Sequence, residues 1–411
     1  MAKLAALLRS LHGSFFIATC MLALTACDDK TDWVEPGPGD DNDDDDNDDD
    51  DSDDPSVTAC LAIKGTDNTW SDGSLSIMSL ADEVVNDVVA SGFYPDAAIA
   101  VHDDTLYAVH AMTFSEDEDN ADAVRAIALD GLTSFRWQQD LSAGSNPTTI
   151  AFFGTKAFVG ELTNGIVREI DLAAADEDDH LTGNSLTVPT AGDWDGPVAD
   201  IGALLVDNGK LYILNQGIDA FVCASEDARA EISVWDAETL APVNDFGGTN
   251  RILLETCNGG SMAIIDNVLY VQTVGSYRYS SALDDGGIEA IDLATGTSLG
   301  MILTETQVGD ADIYRIVPTE SGDGFWIIVG STTLYHVSTD GTLSEPLLTI
   351  NVLNDVAEYD GTLYIADGTL GVSGIQLLDV ASGERITTEA IPTAYNPNRL
   401  ALYEVEGDSC L

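Results

Sequence analysis

Three features of the sequence predict an all-β fold, a seven-bladed β-propeller built of four-stranded antiparallel blades. An aromatic strand motif recurs along the chain, pairs of turn-forming residues precede it, and an apolar strand ending in Asp follows it. A period of roughly 40 to 50 residues with four strands in each repeat is typical of propeller blades. The aromatic residues are Tyr107, Phe158, Tyr212, Tyr270, Trp326 and Tyr364.

Each aromatic strand follows a pair of residues suited to a tight turn. Because Asp, Asn and Gly accept positive φ, such pairs join two antiparallel strands as a hairpin. A third strand and a more polar fourth strand complete the unit. The most regular copy lies at 356–391, where ITTEAI at 386–391 is the predicted fourth strand. The turn pairs are Asp103-Asp104, Gly154-Thr155, Asn208-Gly209, Asp266-Asn267, Asp323-Gly324 and Asp360-Gly361.

Six such units cover about 96–393, and the two ends of the domain supply a seventh. The segments 59–65 and 74–82 are predicted as second and third strands, and 398–405 as a first strand. Pairing the last strand with the first ones would close the ring and remove exposed sheet edges. We therefore predict a closure blade shared by the N- and C-terminal strands.

The N-terminal residues 1–26 have the pattern of an export signal. A short basic start precedes an apolar run at 15–24, which is too short to span a bilayer comfortably. The tetrad Leu24-Thr25-Ala26-Cys27 resembles the lipobox of bacterial lipoproteins. That resemblance implies acylation of Cys27 and anchoring in the bacterial cell envelope, at the outer membrane or cell surface in preference to the inner membrane. The alternative is an ordinary signal with a chance cysteine.

Residues 27–55 are predicted to be a disordered tether between the anchor and the propeller domain at 56–411. The stretch 28–54 holds 16 acidic residues and one Lys, so like charges repel and little can be buried. Hard cations take oxygen ligands, and weak Ca²⁺ association is therefore the alternative role. No glycine-punctuated loop with ordered ligand spacing supports a specific calcium site, and no cofactor is expected.

The net charge of -57 limits the classes of partner. Such a chain repels phosphate backbones, which argues against nucleic-acid binding. An anionic lipid surface is disfavoured for the same reason, so contact with the membrane is expected only through the lipid anchor. A monomer is expected.

Four cysteines remain in the domain, and they allow three connectivities. Cys60 and Cys410 both fall in the predicted closure blade. Cys223 falls in a loop between second and third strands, and Cys257 falls in the following crossover; both loop classes lie on one face of a propeller. We therefore predict the disulfides Cys60–Cys410 and Cys223–Cys257, which an exported protein would form.

The repeats resemble the YVTN-type repeats of bacterial seven-bladed propellers, in which an LYV strand is followed by an I-x-V-I-D strand and a Thr-Gly turn. Other propeller families share parts of the pattern. Val234-Trp235-Asp236 resembles a WD-repeat strand, and 290–296 resembles the repeat of quinoprotein propellers. The resemblance implies a propeller over about 56–411.

Catalytic motifs are absent from the sequence. No GxSxG, HExxH or P-loop occurs, and the histidines have no metal-ligand spacing. We therefore expect a non-catalytic, lipid-anchored propeller whose loop face binds a protein, a polysaccharide or a small ligand. The alternatives are a lactonase-like or quinoprotein-like enzyme and a scaffold lipoprotein for outer-membrane assembly.

Two long loops are the candidate ligand-binding segments. Aromatic residues beside carboxylates suit sugars, cationic ligands or a protein surface. Long exposed loops without a ligand are the alternative. The loop at 275–286 offers Tyr277, Arg278, Tyr279, Asp284 and Asp285, and the loop at 190–197 offers Asp193, Trp194 and Asp195.

Overall fold

The computed structural model is all-β, with seven four-stranded antiparallel sheets arranged as a ring. An accessory two-stranded hairpin and one 3₁₀ turn complete the described secondary structure. No described helix is long and apolar enough to cross a membrane. The seven-bladed prediction is confirmed. The structure describes residues 57–109, 122–129, 135–175, 179–189, 200–219, 222–223, 229–275, 285–407 and 410.

The strands are numbered in chain order, and each blade is given from its innermost strand outward. Blade 1 holds β30 (Asn396–Glu406), β1 (Val57–Thr66), β2 (Gly73–Ser79) and β3 (Val84–Phe93). Blade 2 holds β4 (Ala98–His102), β5 (Thr105–Val109), β6 (Ala123–Ala128) and β7 (Phe135–Asp140). Blade 3 holds β8 (Pro147–Phe153), β9 (Lys156–Glu161), β10 (Ile166–Asp171) and β11 (Leu181–Thr187).

The other four blades follow the same order. Blade 4 holds β12 (Ile201–Asp207), β13 (Lys210–Asn215), β16 (Glu231–Asp236) and β17 (Arg251–Leu253), and its accessory hairpin is β14 (Ile218–Asp219) and β15 (Val222–Cys223). Blade 5 holds β18 (Gly259–Ile265), β19 (Val268–Thr273), β20 (Gly287–Asp292) and β21 (Thr297–Thr304), and the 3₁₀ turn Glu305–Val308 follows it. Blade 6 holds β22 (Ile313–Pro318), β23 (Gly324–Val329), β24 (Thr333–Ser338) and β25 (Leu348–Thr349). Blade 7 holds β26 (Leu353–Tyr359), β27 (Thr362–Asp367), β28 (Gly374–Asp379) and β29 (Ile391–Pro392).

This topology gives the ring two distinct faces. Connections from second to third strands and crossovers between blades lie on one face, which we call the crossover face. Connections from first to second and from third to fourth strands lie on the opposite hairpin face. Because β1 is the second strand of blade 1, its first residue Val57 enters the ring from the hairpin face.

The aromatic residues of the repeat fill the space between blades. The Tyr107 ring of blade 2 lies 5.0 Å from the Phe152 ring of blade 3, and the Tyr270 ring of blade 5 lies 4.7 Å from the Phe325 ring of blade 6. Inner and second strands are covered by neighbouring blades on both sheet faces. Their sequences are therefore continuous apolar runs rather than alternating ones.

Hydrogen bonds along the inner strands join three pairs of neighbouring blades. The Thr149 hydroxyl of blade 3 accepts a bond from the Leu204 backbone N–H of blade 4, at 3.2 Å. In the same way, Ser261 of blade 5 accepts from Ile316 of blade 6 at 3.2 Å. Asp355 of blade 7 accepts from Leu400 of blade 1 at 3.0 Å. At each of these three boundaries, a polar side chain of one inner strand accepts a hydrogen bond from a backbone N–H of the next inner strand.

Two local predictions were wrong. Gly324 is the first residue of β23, so the predicted two-residue turn at Asp323-Gly324 is instead a longer loop. The Asp323 carboxylate stabilises that loop by accepting hydrogen bonds from the Thr319 and Ser321 hydroxyls, at 2.9 and 2.7 Å. The predicted fourth strand at 386–391 is reduced to Ile391–Pro392. Its earlier residues interrupt the ladder, because the Leu377 N–H donates to the Thr387 hydroxyl at 3.2 Å instead of to a carbonyl.

The closure prediction is confirmed. β1 pairs with β30 from Val57 opposite Glu406 to Thr66 opposite Asn396. The predicted disulfides are also present, and each joins Cα atoms 5.8 Å apart. Cys60–Cys410 fastens the two terminal segments of blade 1, and Cys223–Cys257 fastens the accessory hairpin to the crossover between blades 4 and 5.

Candidate functional site

A groove of about 920 Å³ opens on the crossover face between blade 7 and blade 1. Four segments line it: the β1–β2 loop, the β27–β28 loop, the residues just before β29 and the crossover from β29 to β30. Its lining residues are 66–68, 371–373, 388–390 and 392–396, together with Gln376. The two sides of the groove are more than 300 residues apart in the sequence, so ring closure creates it.

Asp67 organises the β1–β2 loop on the blade 1 side. Its carboxylate accepts hydrogen bonds from the Ser71 N–H at 2.7 Å and the Ser71 hydroxyl at 2.8 Å, and from the Thr69 hydroxyl at 2.5 Å. Desolvation raises the pKa of Asp67, but these donors outweigh it and lower the pKa to about 2. The Asp67 side chain is therefore an anion whose hydrogen-bonding capacity is largely satisfied within the loop.

The same loop carries Trp70, which is 42% exposed and has a φ of 56°. A bulky residue in the left-handed region costs about 1 to 2 kcal/mol. The Trp70 N–H donates to the Asp67 carbonyl at 3.1 Å and helps to hold this conformation. On the opposite side, Val372 is 63% exposed and lines the groove. Trp70 is not among the lining residues, so Val372 is the strongly exposed apolar side chain of the lining itself.

Gln376 on β28 lines the groove and carries a buried acceptor without a partner in the described part of the chain. The side chain is 7% exposed, and among the described residues its Oε1 atom has no hydrogen-bond partner. Its Nε2 atom donates to Asp367 Oδ2 at 3.1 Å, and Asp367 Oδ1 accepts from the Thr369 N–H at 2.9 Å. Because Asp367 Oδ2 is the acceptor of this bond, the contact fixes the amide with Nε2 toward Asp367. The carbonyl oxygen is thus oriented in advance for a donor.

A buried charge network lies behind the groove. The Thr66 hydroxyl, at the lining, donates to the Pro95 carbonyl at 2.9 Å and accepts from Lys64 Nζ at 3.1 Å. Lys64 also donates to Pro95 and is fully buried. Burial lowers the pKa of Lys64 to about 7, Asp96 opposes this shift, and Arg399 adds to it. This network is closed to solvent, so we assign it to the joint between blades 1 and 2.

Most of the predicted ligand-binding residues lie outside the described part of the chain. These are Tyr277, Arg278, Tyr279, Asp284, Asp193, Trp194 and Asp195, and Cys27 also lies outside it. Asp285 is described, and it does not line the groove. It lies on the crossover face between blades 5 and 6, where a Cβ at Gly275 would collide with its carboxylate.

Asp285 belongs to a group of carboxylates around Glu305. Glu305 is fully buried and accepts hydrogen bonds from the N–H groups of Gly286 at 3.1 Å and Ile313 at 3.3 Å. Burial, followed by the charge of Asp312, raises the pKa of Glu305 to about 8, and the charge of Asp285 adds to this effect. Burial and Asp285 also raise the pKa of Asp312. Glu305 holds two crossover-face segments together.

Histidines within the described ranges are packed against aromatic rings. His102 stacks on Phe152 with ring centroids 4.6 Å apart, and His180 stacks on Trp137 at 3.9 Å. No group of three or more His, Cys, Asp and Glu side chains in the described ranges could hold a metal ion. His110 lies outside these ranges.

Sequence reasoning missed the residues that build the groove. Gln376 is in the most regular repeat, which made that blade look purely structural. A usable signal was the loop TDNTWSDG at 66–73, which combines Asp, Asn, Ser and Gly with one exposed tryptophan. This loop lies beside residues 388–396 only because the ring closes, so its position can be inferred only from the assembled ring.

Comparisons with solved structures agree with the fold. The periplasmic gluconolactonase PpgL of Pseudomonas aeruginosa is similar at a TM-score of 0.62 and 13% identity, over 84% of this chain and 99% of that one. A protein from Lactobacillus plantarum is similar at a TM-score of 0.61 and 15% identity, over 85% of this chain and 100% of that one. Apo AztD from Citrobacter koseri is similar at a TM-score of 0.52 and 13% identity, over 86% of this chain and 100% of that one.

No protein-family model and no curated protein matches the chain. The YVTN-type resemblance therefore remains a prediction. At these identities, the structural similarity establishes the propeller fold alone.

Proposed function

We propose that this protein is an exported, lipid-anchored β-propeller that binds a ligand on its crossover face without transforming it. The observation that carries the proposal is the groove between blades 7 and 1, where Gln376 Oε1 is a buried acceptor without a partner among the described residues. Leaving such an acceptor unpaired costs about 1 to 3 kcal/mol. A ligand donor would remove that cost.

The position of the chain entry supports the proposal. Val57 enters the ring on the hairpin face, and the groove opens on the crossover face. A tether attached through Cys27 would leave the ring at the end opposite the groove. The two disulfides support export, because such bonds persist in oxidising compartments.

Anchoring can be tested with two cysteine variants. Cys20 is the poorer candidate for acylation, because Thr19 precedes it where a smaller residue is expected. Cells that express the full chain should therefore hold both the wild type and Cys20→Ser in the membrane fraction. Cys27→Ser should move to the soluble extract, because it lacks the acylated thiol. Membrane retention of Cys27→Ser would refute the lipid anchor while leaving the binding proposal intact.

Lactone hydrolysis is the second candidate function. It is favoured by the fold similarity to PpgL together with Glu305, a buried carboxyl with a raised pKa on the crossover face. Raised carboxyl pKa values are common where a protein needs a general acid. The full chain should be assayed for hydrolysis of glucono-δ-lactone with and without Ca²⁺. If the wild type hydrolyses the lactone faster than the spontaneous rate and Glu305→Gln abolishes this activity, lactone hydrolysis replaces the non-catalytic proposal. A rate equal to the spontaneous one would support binding alone.

The scaffold role in outer-membrane assembly is a third prediction, and crosslinking of the anchored chain in intact cells tests it. A single membrane-protein partner trapped by crosslinkers on the crossover face would favour the scaffold. Absence of such a partner, with a ligand bound in the groove, would favour the binding role.

A further inference from the structure

We propose that the groove between blades 7 and 1 is a subsite for an uncharged, hydroxyl-rich ligand, a neutral saccharide, with Gln376 Oε1 as its central hydrogen-bond acceptor. This inference rests on the proposed binding function and names the chemical class of the ligand. It is carried by three independent features of the groove: its charge, its fixed acceptor and the apolar residues of its lining.

The charge of the lining excludes an anion. Asp67 and Glu389 line the groove, and its described lining contains no Lys or Arg. Lys64, which lies behind Thr66, is fully buried and donates to the Thr66 hydroxyl and to the Pro95 carbonyl. A phosphorylated or carboxylated sugar would therefore meet two carboxylates and no accessible counter-charge.

The same carboxylates are poorly arranged for a cation. The Asp67 side chain already accepts hydrogen bonds from Thr69, Ser71 and the Asp72 N–H. Glu389 is exposed to solvent, where single ion pairs contribute little. An uncharged ligand needs neither of them as a counter-ion.

Hydroxyl groups match the acceptor that the groove offers. Gln376 is nine-tenths buried, and its amide is fixed by Asp367, so Oε1 cannot rotate away without breaking the bond from Nε2. An O–H group donates to such a carbonyl and can accept from neighbouring donors. Ser373 and Thr388 supply hydroxyl groups in the lining.

Apolar surface completes the match. Val372 lines one side of the groove, and the half-buried Tyr395 lines it from the crossover. The C–H faces of a sugar ring pack on such side chains. The volume of about 920 Å³ lies within the range of small-molecule sites, so several sugar rings could enter.

The test is isothermal titration calorimetry on the full chain in detergent. The neutral probes are maltohexaose, cellohexaose, laminarihexaose, xylohexaose, mannohexaose and chitohexaose. Hexagalacturonate is the anionic probe and spermine the cationic one. We expect at least one neutral oligosaccharide to bind. Neither hexagalacturonate nor spermine should displace it.

Two variants locate the binding. Thr388→Trp places an indole in the groove from an exposed position, and it should weaken binding at least tenfold. The matched control, Thr306→Trp, changes an exposed residue of the 3₁₀ turn on the same face and should leave affinity unchanged. Gln376→Leu removes the acceptor and should also weaken binding at least tenfold. If Gln376→Leu does not fold, Thr388→Trp still shows whether the saccharide binds in the groove.

The outcomes separate the two proposals. Binding of only spermine or hexagalacturonate, blocked by Thr388→Trp, would overturn the ligand class and leave crossover-face binding standing. Neutral binding that is blocked by Thr306→Trp and insensitive to Thr388→Trp would move the site away from the groove. If the wild type binds no probe, the saccharide assignment is wrong. Binding of a different envelope component on the crossover face would then be the remaining support for the proposed function.

Discussion

Arg315 and Asp355 form a buried ion pair between the inner strands of blades 6 and 7, with Nη1 and Oδ1 2.9 Å apart. Asp355 also accepts hydrogen bonds from its neighbour Val356 N–H at 2.8 Å and from the Leu400 N–H of blade 1 at 3.0 Å. One carboxylate therefore connects three consecutive blades at the joint where the ring closes.

This arrangement predicts unequal costs for removing the two partners. Asp355→Ala should lower the free energy of unfolding by about 3 to 5 kcal/mol, because it leaves the Arg315 charge buried and removes the contact to Leu400. Arg315→Met should cost less, since Asp355 keeps two backbone N–H donors. Urea unfolding of both variants measures the difference. Equal losses, or a larger loss for Arg315→Met, would contradict this account of the joint.

The two disulfides should differ in their contribution to stability. In the loop-entropy model a bond that closes the 350-residue separation between Cys60 and Cys410 contributes roughly 6 kcal/mol. The 34-residue separation between Cys223 and Cys257 gives roughly 4 kcal/mol. The double variant Cys60→Ala/Cys410→Ala should therefore unfold at lower urea concentration than Cys223→Ala/Cys257→Ala. The reverse order would show that entropy of the closed loop is not the main term.

Glu305 should make the protein less stable as the pH rises. Its pKa is raised in the folded state from 4.5 to about 8, so its contribution to stability is complete below pH 4.5 and is lost as the pH rises through 8. Within this window the loss is about 1.4 kcal/mol per pH unit. Glu305→Gln does not titrate, and its stability relative to the wild type should increase with pH. If the difference in unfolding free energy between Glu305→Gln and the wild type stays constant between pH 4.5 and 8, the pKa of Glu305 is not raised.

The strained backbone at Trp70 should be separable from its side chain. Asn tolerates positive φ, so Trp70→Asn should raise the free energy of unfolding by about 1 kcal/mol. Trp70→Phe is the control, because it keeps both an aromatic ring and the strain. Thermal unfolding measures the effect. If Trp70→Asn is less stable than Trp70→Phe, packing of the aromatic ring outweighs the strain.

Sequence patterns were sufficient for the fold because each blade repeats the same local chemistry. The aromatic residue of the second strand and the turn pair before it are local signals, and both depend on contacts that recur between blades. The departures arise where one side chain changes the local hydrogen bonding. Asp323 stabilises a longer turn, and Thr387 takes the place of a backbone carbonyl.

The candidate site was less accessible from the sequence. Long loops with aromatic and acidic residues, such as 275–286, are conspicuous in a linear reading. The groove instead combines short loops from opposite ends of the chain, and its chief feature is the orientation that Asp367 gives to Gln376. A lone Gln in a third strand carries no such information, because the missing partner of an atom is a property of the assembled molecule.

The shared blade also sets the order of events during biosynthesis. The apolar strand β1 is made first, and its inner partner β30 is made last, so β1 remains an unpaired sheet edge while almost the whole domain is synthesised. Exposed edges of this kind recruit other chains, and contacts between residues so distant in sequence form slowly. A chain of this design has to be protected from aggregation until its last strand arrives, and its folding yield depends on that interval as well as on its final stability.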